Sequence, residues 1–127
     1  MRIVIERGLP PVMIDRVQIQ QVMINLIKNA AEAMEHSALR ELTLEVCRAS
    51  PDLLQVSVVD SGPGISEEVR DRLFKPFVSD KVHGMGMGLS ICRGIVEAHG
   101  GRLWLEANAS VGSVFRFNIP MGVGHGE

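Results

Sequence analysis

The chain has 127 residues, of which 46% are hydrophobic and 22% charged, and its formal net charge is -2. This composition predicts one globular domain, and the weak negative charge disfavours binding to nucleic acid through a basic surface. No apolar run is long enough to cross a membrane, and the widely separated Cys47 and Cys92 argue against a disulfide scaffold or a zinc ribbon.

The first half of the chain predicts strands around one long helix. Alternating β-branched residues predict a strand over residues 2–6 and a short second strand over 12–14. Asp15 is placed to cap the helix that follows, because apolar residues at helical spacing run from Val17 to Met34. Two further strands then form a hairpin: Leu42 to Arg48 and Leu53 to Asp60.

The second half predicts two helices and two strands. A short helix begins near Ser66, and a longer one spans Gly88 to His99 before Gly100 ends it as a left-handed cap. The apolar side of the longer helix is formed by Leu89, Ile91, Cys92, Ile95 and Val96. Two strands follow, over 102–106 and 113–119, and residues 121–127 are expected to form a disordered tail. This order predicts an α+β fold, a two-layer sandwich with helices on one face of a mixed sheet.

Asn25 and Asn29 are four residues apart and therefore share one face of the long helix. Two asparagines at this spacing, with no other signal beside them, usually belong to a solvated helix face. Asparagine is nevertheless a poor residue for the middle of a helix, because its side chain competes with the backbone for hydrogen bonds. An amide oxygen is also a suitable hard donor for Mg²⁺, so the pair is a candidate metal site.

Asp60 ends a strongly hydrophobic strand and is followed by Gly62 and Gly64. A carboxylate in this place can accept a hydrogen bond from a ligand amine while the glycines let the ligand approach the backbone. The simpler interpretation is a side-chain turn that closes the strand.

Gly84, Gly86 and Gly88 alternate where the last helix opens. Free N–H groups at a helix N-terminus suit phosphates, although such alternation is also typical of a flexible lid. The spacing does not fit a dinucleotide fingerprint or a Walker A loop, because Leu89 stands where glycine is needed and no Gly-Lys-Ser/Thr is present. The lysine strand and catalytic loop of protein kinases are absent as well.

Four motifs stand in a fixed order along the chain: Gln21 to Ala30, Asp60 to Ile65, Leu73 to Phe77 and Gly84 to Ile91. Together they resemble the N, G1, F and G2 boxes of the catalytic and ATP-binding domain of bacterial sensor histidine kinases, especially the nitrogen-regulation and oxygen-sensing branch. The resemblance covers roughly residues 3–120 and implies a single such domain over 1–120 with the Bergerat fold. It also implies ATP and Mg²⁺ as ligands.

The resemblance implies a role for each matching residue. Asn29 corresponds to the Mg²⁺ ligand, with Asn25 beside it, and Asp60 to the acceptor for the adenine amino group, which Ser113 assists through a water. Gly62 and Gly64 shape the adenine pocket. The backbone amides that face the phosphates are those of Gly84, Gly86 and Gly88. Ile65 and Leu89 are expected to belong to the same nucleotide-binding surface. Lys81 is placed to reach the terminal phosphate, with an ordinary surface lysine as the equal alternative.

Two departures from the wider superfamily bear on the reaction. Glu32 stands where many members have a basic residue, so phosphate contacts must come from elsewhere. Asn25 stands where DNA gyrase and MutL have a glutamate that activates water, and an amide cannot take a proton. Transfer of the phosphoryl group is therefore favoured over hydrolysis.

None of the four histidines is a good phosphoacceptor, so the resemblance implies a histidine on a separate dimerisation domain and a response regulator downstream. It also implies a cytoplasmic domain that contacts neither nucleic acid nor membrane, whether or not the parent protein is membrane-anchored. Two alternatives stay open: a free-standing serine kinase of the anti-sigma-factor type, and a nucleotide-binding module without catalysis.

Overall fold

A computed structural model describes residues 1–9, 12–36, 38–62, 85–106 and 112–121 of the chain. Two helices are found in these ranges, α1 (Arg16–Ala33) and α2 (Met85–Ala98). The strands are β1 (Arg2–Ile5), β2 (Leu42–Ser50), β3 (Leu53–Asp60), β4 (Leu103–Leu105) and β5 (Ser113–Pro120).

The strands form one mixed sheet in the order β1-β2-β3-β5-β4. β1 runs parallel to β2, and the other neighbours are antiparallel. The predicted hairpin of β2 and β3 is confirmed, with a register shift between Arg48 and Ser50. Because β5 pairs along the whole of β3, the last strand in the sequence lies inside the sheet and places Ser113 opposite Asp60.

Both described helices pack on the same face of the sheet. The alternation of β3 and β5 turns Val56, Val58, Phe115 and Phe117 towards this face, and all four are buried. The core that they form with the helices also includes Val22, Leu26, Ala30, Leu44, Leu89, Cys92, Val96, Leu103 and Ile119. The predicted α+β fold with helices on one face of a mixed sheet is confirmed.

Helix α1 begins and ends close to the predicted residues. The side chain of Asp15 accepts a hydrogen bond of 3.1 Å from the N–H of Gln18, which is the N-cap expected from the sequence. The helix ends at Ala33, and the N–H of the C-cap residue Met34 donates to the carbonyl of Ala30 at 3.2 Å. The left-handed end of α2 is also confirmed, since Gly100 has a φ of 86°.

Three predictions about these elements were wrong. Residues 12–14 do not form a strand, because they pair with none of the described strands. Ile91 is 45% exposed, since the buried stripe of α2 runs through Leu89, Cys92 and Val96 and leaves position 91 outside it. Met121 is not part of a disordered tail: it is buried, and its N–H donates to the carbonyl of Asp52 at 2.8 Å. The rest of that tail and the helix predicted from Ser66 lie outside the described residues.

Neither of the two described helices combines the length and the apolar character that crossing a membrane requires.

Candidate functional site

Asp60 is a buried carboxylate at the end of the inner strand β3. It lies on the same face as Val56 and Val58, beneath the helices, and is 4% exposed. Its Oδ1 accepts hydrogen bonds from the N–H groups of Gly62 at 2.9 Å and Ser113 at 3.2 Å. Both bonds fall on the same oxygen, so the carboxylate has a fixed orientation.

The electrostatic environment of Asp60 makes it an acceptor that benefits from a further donor. Burial raises the pKa of this carboxyl group, and the two backbone hydrogen bonds from Gly62 and Ser113 offset only part of that rise. A buried charge is costly unless donors surround it. An N–H group of a ligand beside Asp60 is therefore bound favourably.

Two glycines keep side chains away from this carboxylate. A Cβ atom on Gly62 would lie 3.0 Å from the carbonyl oxygen of Ala33 and 3.2 Å from Oδ1 of Asp60. Gly112 has a φ of 66°, which side chains rarely adopt, and a Cβ atom there would overlap the backbone carbonyl of Asp60. These short distances explain why both Gly62 and Gly112, which flank the buried carboxylate, have no side chain.

Two serines beside Asp60 differ in whether their hydroxyl groups are satisfied. Ser113 is 3% exposed, and its Oγ has no hydrogen-bond partner among the described residues. The Oγ of Ser61 instead accepts from the N–H of Glu41 at 2.8 Å and donates to the carbonyl of Leu39 at 3.1 Å. Ser61 therefore ties the turn after β3 to the segment before β2, a function for which the sequence carries no local signal.

The two asparagines of α1 have different environments. Asn29 is 7% exposed, and its Nδ2 has no partner among the described residues, so the solvated-face interpretation is wrong for it. Asn25 is half-buried, and its Nδ2 donates to the carbonyl of Gln21 at 3.1 Å. Its Oδ1 faces α2, because a Cβ atom on Gly88 would lie 3.0 Å from it.

Helix α1 brings the two glycine-containing segments to one side of the molecule. Asn25 faces Gly88 near the start of α2, and Ala33, two turns later, faces Gly62 after β3. Asn29 lies one helical turn from Asn25 and one from Ala33. The buried carboxylate of Asp60, the buried carboxamide of Asn29 and the start of α2 are therefore arranged along a single helix.

The first turn of α2 contains two of the predicted phosphate-facing glycines. The helix begins at Met85, so the N–H of Gly86 is one of those that have no acceptor within the helix, and Gly88 is the fourth helical residue. Leu89 was assigned to the ligand surface, and that assignment was wrong: it has 0% exposure and belongs to the core. The predicted site residues Gly64, Ile65, Lys81 and Gly84 lie outside the described residues.

Within the described ranges, no group of three or more His, Cys, Asp or Glu side chains is arranged to hold a metal ion. A metal at this place would depend on carboxamide oxygens together with oxygens of a ligand.

Comparison with known proteins gives the site a context. A family described as "Histidine kinase-, DNA gyrase B-, and HSP90-like ATPase" matches residues 14–123. Sensor protein FixL of Bradyrhizobium diazoefficiens is 49% identical over 120 residues, which is 94% of this chain and 24% of FixL. The C4-dicarboxylate transport sensor protein DctS of Rhodobacter capsulatus is 45% identical over 92% of this chain and 18% of its own length. The chain thus spans a quarter or less of these two relatives.

Solved structures agree with this family. The catalytic domain of histidine kinase ThkA matches with a TM-score of 0.80 and 38% identity, over 94% of this chain and 77% of that one. ThkA in complex with the response regulator TrrA matches with a TM-score of 0.76 and 37% identity, over 94% of this chain and 33% of that one. The chain therefore belongs to the histidine kinase-, DNA gyrase B- and HSP90-like ATPase family, and within it to the catalytic domains of histidine kinases.

Proposed function

We propose that this domain binds ATP with Mg²⁺ and transfers the γ-phosphoryl group to a histidine of a separate dimerisation domain. One observation carries the proposal: α1 connects the buried carboxylate of Asp60 to the first turn of α2 through Asn29, a buried residue whose Nδ2 has no partner among the described residues. An elongated ligand with an amine at one end and phosphates at the other matches this arrangement.

Asp60 forms the adenine end of the site in this proposal. Its Oδ1 is held by the N–H groups of Gly62 and Ser113, which leaves Oδ2 to accept from the exocyclic amine of adenine. The buried hydroxyl of Ser113 lacks a partner among the described residues, so a water bound between it and the base would satisfy it. Gly64 and Ile65 complete this pocket by resemblance to the family.

The residues at the other end fit a magnesium-bound triphosphate. The Nδ2 of Asn25 is engaged by the carbonyl of Gln21, which directs its Oδ1 away from its own backbone. Asn29 contributes a second carboxamide one turn later. Mg²⁺ prefers a few hard oxygen ligands together with phosphates and waters, and when bound it neutralises charge on the phosphates.

The start of α2 completes the phosphate end. Backbone N–H groups around Gly86 and Gly88 and the positive end of the helix dipole favour a polyanion there. Lys81 and Gly84 join them by resemblance to the family. Weak net charge is consistent with this mode of binding, because backbone amides and a cation do most of the neutralisation.

The side chain of Asn25 favours phosphoryl transfer over hydrolysis. It lies beside Gly88 and cannot accept a proton from water. In transfer, a nitrogen of the acceptor imidazole forms a bond to the γ-phosphorus while the bond to the β-phosphate oxygen breaks and ADP leaves. The domain contributes position and electrostatic stabilisation to this step.

The partners follow from the same proposal. The domain acts on the histidine of a dimerisation domain, and the phosphoryl group then passes to a response regulator. One of the similar solved structures is a complex of this kind, ThkA with the response regulator TrrA. We place the domain on the cytoplasmic side, without contact to nucleic acid or membrane.

Isothermal calorimetry with Mg-ADP tests the binding half of the proposal. Asn29→Ala is expected to weaken binding at least about tenfold and to reduce its dependence on Mg²⁺. The control is Gln20→Ala, an exposed amide of the same helix, which should bind as the wild type does. Equal affinity and equal Mg²⁺ dependence of wild type and Asn29→Ala would refute the metal assignment.

A further inference from the structure

His99 connects the end of α2 to the start of α1. Its Nε2 accepts a hydrogen bond of 3.0 Å from the backbone N–H of Asp15. Its Nδ1 lies 2.9 Å from the carbonyl oxygen of Ile95, one turn earlier in α2. The imidazole therefore bridges two helices whose bonded residues are 84 positions apart in the sequence.

The two contacts define the protonation state of this ring. A backbone N–H only donates, so Nε2 must carry a lone pair to accept from Asp15. A carbonyl oxygen only accepts, so Nδ1 must carry the proton to bond Ile95. Both conditions hold together only for the neutral imidazole with its proton on Nδ1.

The N–H of Asp15 donates to His99 of the other helix, although an acceptor close by in the sequence is available. Asp15 caps α1, and Gln18 stands at the third helical position, where a side chain often accepts from the N–H of the cap residue. The structure uses His99 for that N–H instead. Loss of the imidazole therefore removes a connection between the helices while the Asp15 cap on Gln18 remains.

Three points show how α1 and α2 align. Asp15 meets His99 at one end, the Sγ of Cys92 lies 4.0 Å from the carbonyl of Val22 in the middle, and Asn25 faces Gly88 at the other end. The helices are therefore antiparallel, and ten residues of α1, about 15 Å, separate the His99 bond from Asn25. A packed helix transmits a shift at one end to the other.

We propose that His99 is a positioning residue: as the neutral Nδ1–H tautomer it sets the register of α1 against α2 and so holds Asn25 against the start of α2. The effect on ligand binding rests on the proposed function, because Asn25 and the first turn of α2 are its phosphate end. The register itself is a property of the ligand-free domain.

Two variants of His99 distinguish the hydrogen bond to Asp15 from the other contacts of the side chain. In His99→Gln the longer amide places an oxygen where Nε2 stands and keeps the bond to Asp15. In His99→Asn the shorter amide retains a donor for Ile95 and does not reach Asp15. We expect His99→Asn to weaken Mg-ADP binding roughly fivefold, the worth of one hydrogen bond, and His99→Gln to restore it.

Nuclear magnetic resonance of the ligand-free domain tests the register without any nucleotide. Nitrogen-15 shifts of the imidazole at pH 7 should report the Nδ1–H tautomer. The amide signals of Gly88 and Asn25 should move in His99→Asn and return in His99→Gln. An Nε2–H or doubly protonated ring, or changes confined to the surroundings of Asp15 and His99, would overturn the proposal. Should the spectra behave as expected while wild type binds no nucleotide, the proposed function fails and the positioning role stands.

Discussion

Asp60 and Ser113 face each other across the β3–β5 ladder, and the N–H of Ser113 donates to Oδ1 of Asp60 at 3.2 Å. The orientation of the candidate adenine acceptor is therefore set by a strand that enters the sheet 53 residues later in the sequence. The orientation of this carboxylate and the pairing of the inner strands therefore involve the same contact.

Replacement of the carboxylate should separate stability from binding. Asp60→Asn keeps an oxygen for the N–H groups of Gly62 and Ser113 but removes a buried charge, so the free energy of unfolding should rise by about 1 kcal/mol. The new amide presents a donor to the adenine amine, and ATP binding should be lost. Urea unfolding and calorimetry measure the two effects. A variant that binds ATP as tightly as wild type would contradict the adenine assignment.

The raised pKa of Asp60 gives the stability of the ligand-free domain a defined pH dependence. The folded state holds the proton to higher pH than the unfolded state does. The contribution of Asp60 to stability is therefore largest below the unfolded pKa and is lost as the pH rises through the folded pKa. The stability of wild type relative to Asp60→Asn should fall over that window. If the stability of wild type relative to Asp60→Asn stayed constant with pH, or increased as the pH rises, burial would not be the dominant influence on the pKa of Asp60.

Two glycines of α2 form a matched pair for testing the contact with Asn25. Gly94 has open space around its Cα, so Gly94→Ala should raise the free energy of unfolding by about 1 kcal/mol and leave binding unchanged. A methyl group at Gly88 would lie 3.0 Å from Oδ1 of Asn25 and must displace that carboxamide. Gly88→Ala should therefore weaken Mg-ATP binding by about fivefold in calorimetry. Equal binding of the two variants would argue against a role of Asn25 at the phosphates.

The two serines beside Asp60 should respond to alanine in opposite ways. Ser61→Ala removes the acceptor for the N–H of Glu41 and should cost about 1 kcal/mol of stability with little change in affinity. Ser113→Ala removes a hydroxyl that has no partner among the described residues, so stability should not fall, while nucleotide affinity should. Thermal unfolding with and without Mg-ADP distinguishes these outcomes, and a loss of stability in Ser113→Ala would show that its hydroxyl is satisfied without ligand.

The cysteines provide a probe of the contact between the helices. Burial raises the pKa of the Cys92 thiol to about 11, whereas Cys47 is partly exposed. Because the thiolate is the reactive form, one thiol should react rapidly with a disulfide reagent in the folded protein and two after unfolding. Cys47→Ser should leave a native domain with almost no reactive thiol. Rapid labelling of Cys92 in that variant would mean that α1 and α2 separate readily.

Local patterns were sufficient to predict α1 with its cap, the hairpin and the shared face of Asn25 and Asn29. They were not sufficient to show that Asn29 is buried and Asn25 only half-buried, because this depends on the rotation of α1 about its own axis relative to the sheet. The structural function of Ser61 was missed for a related reason, since its partner Glu41 lies 20 residues earlier and leaves no local signal.

For Leu89, by contrast, the local pattern predicted the position correctly. The stripe of Leu89, Cys92 and Val96 was visible in the sequence and predicted a core position, whereas resemblance to the family assigned this residue to the ligand. The structure agrees with the periodicity. Motif membership thus identified the segment, and helical phase identified which of its residues turn inwards.

Phosphoryl transfer to histidine is tested most directly by the chemistry of the phosphorylated product. The domain is incubated with Mg-ATP labelled at the γ-phosphate and a histidine-bearing dimerisation domain supplied in trans, with Asn29→Ala as the inactive control. We predict label on the dimerisation domain that is lost in acid and stable in base, as phosphohistidine is. Acid-stable phosphoserine, or release of phosphate without labelled protein, would contradict transfer to histidine.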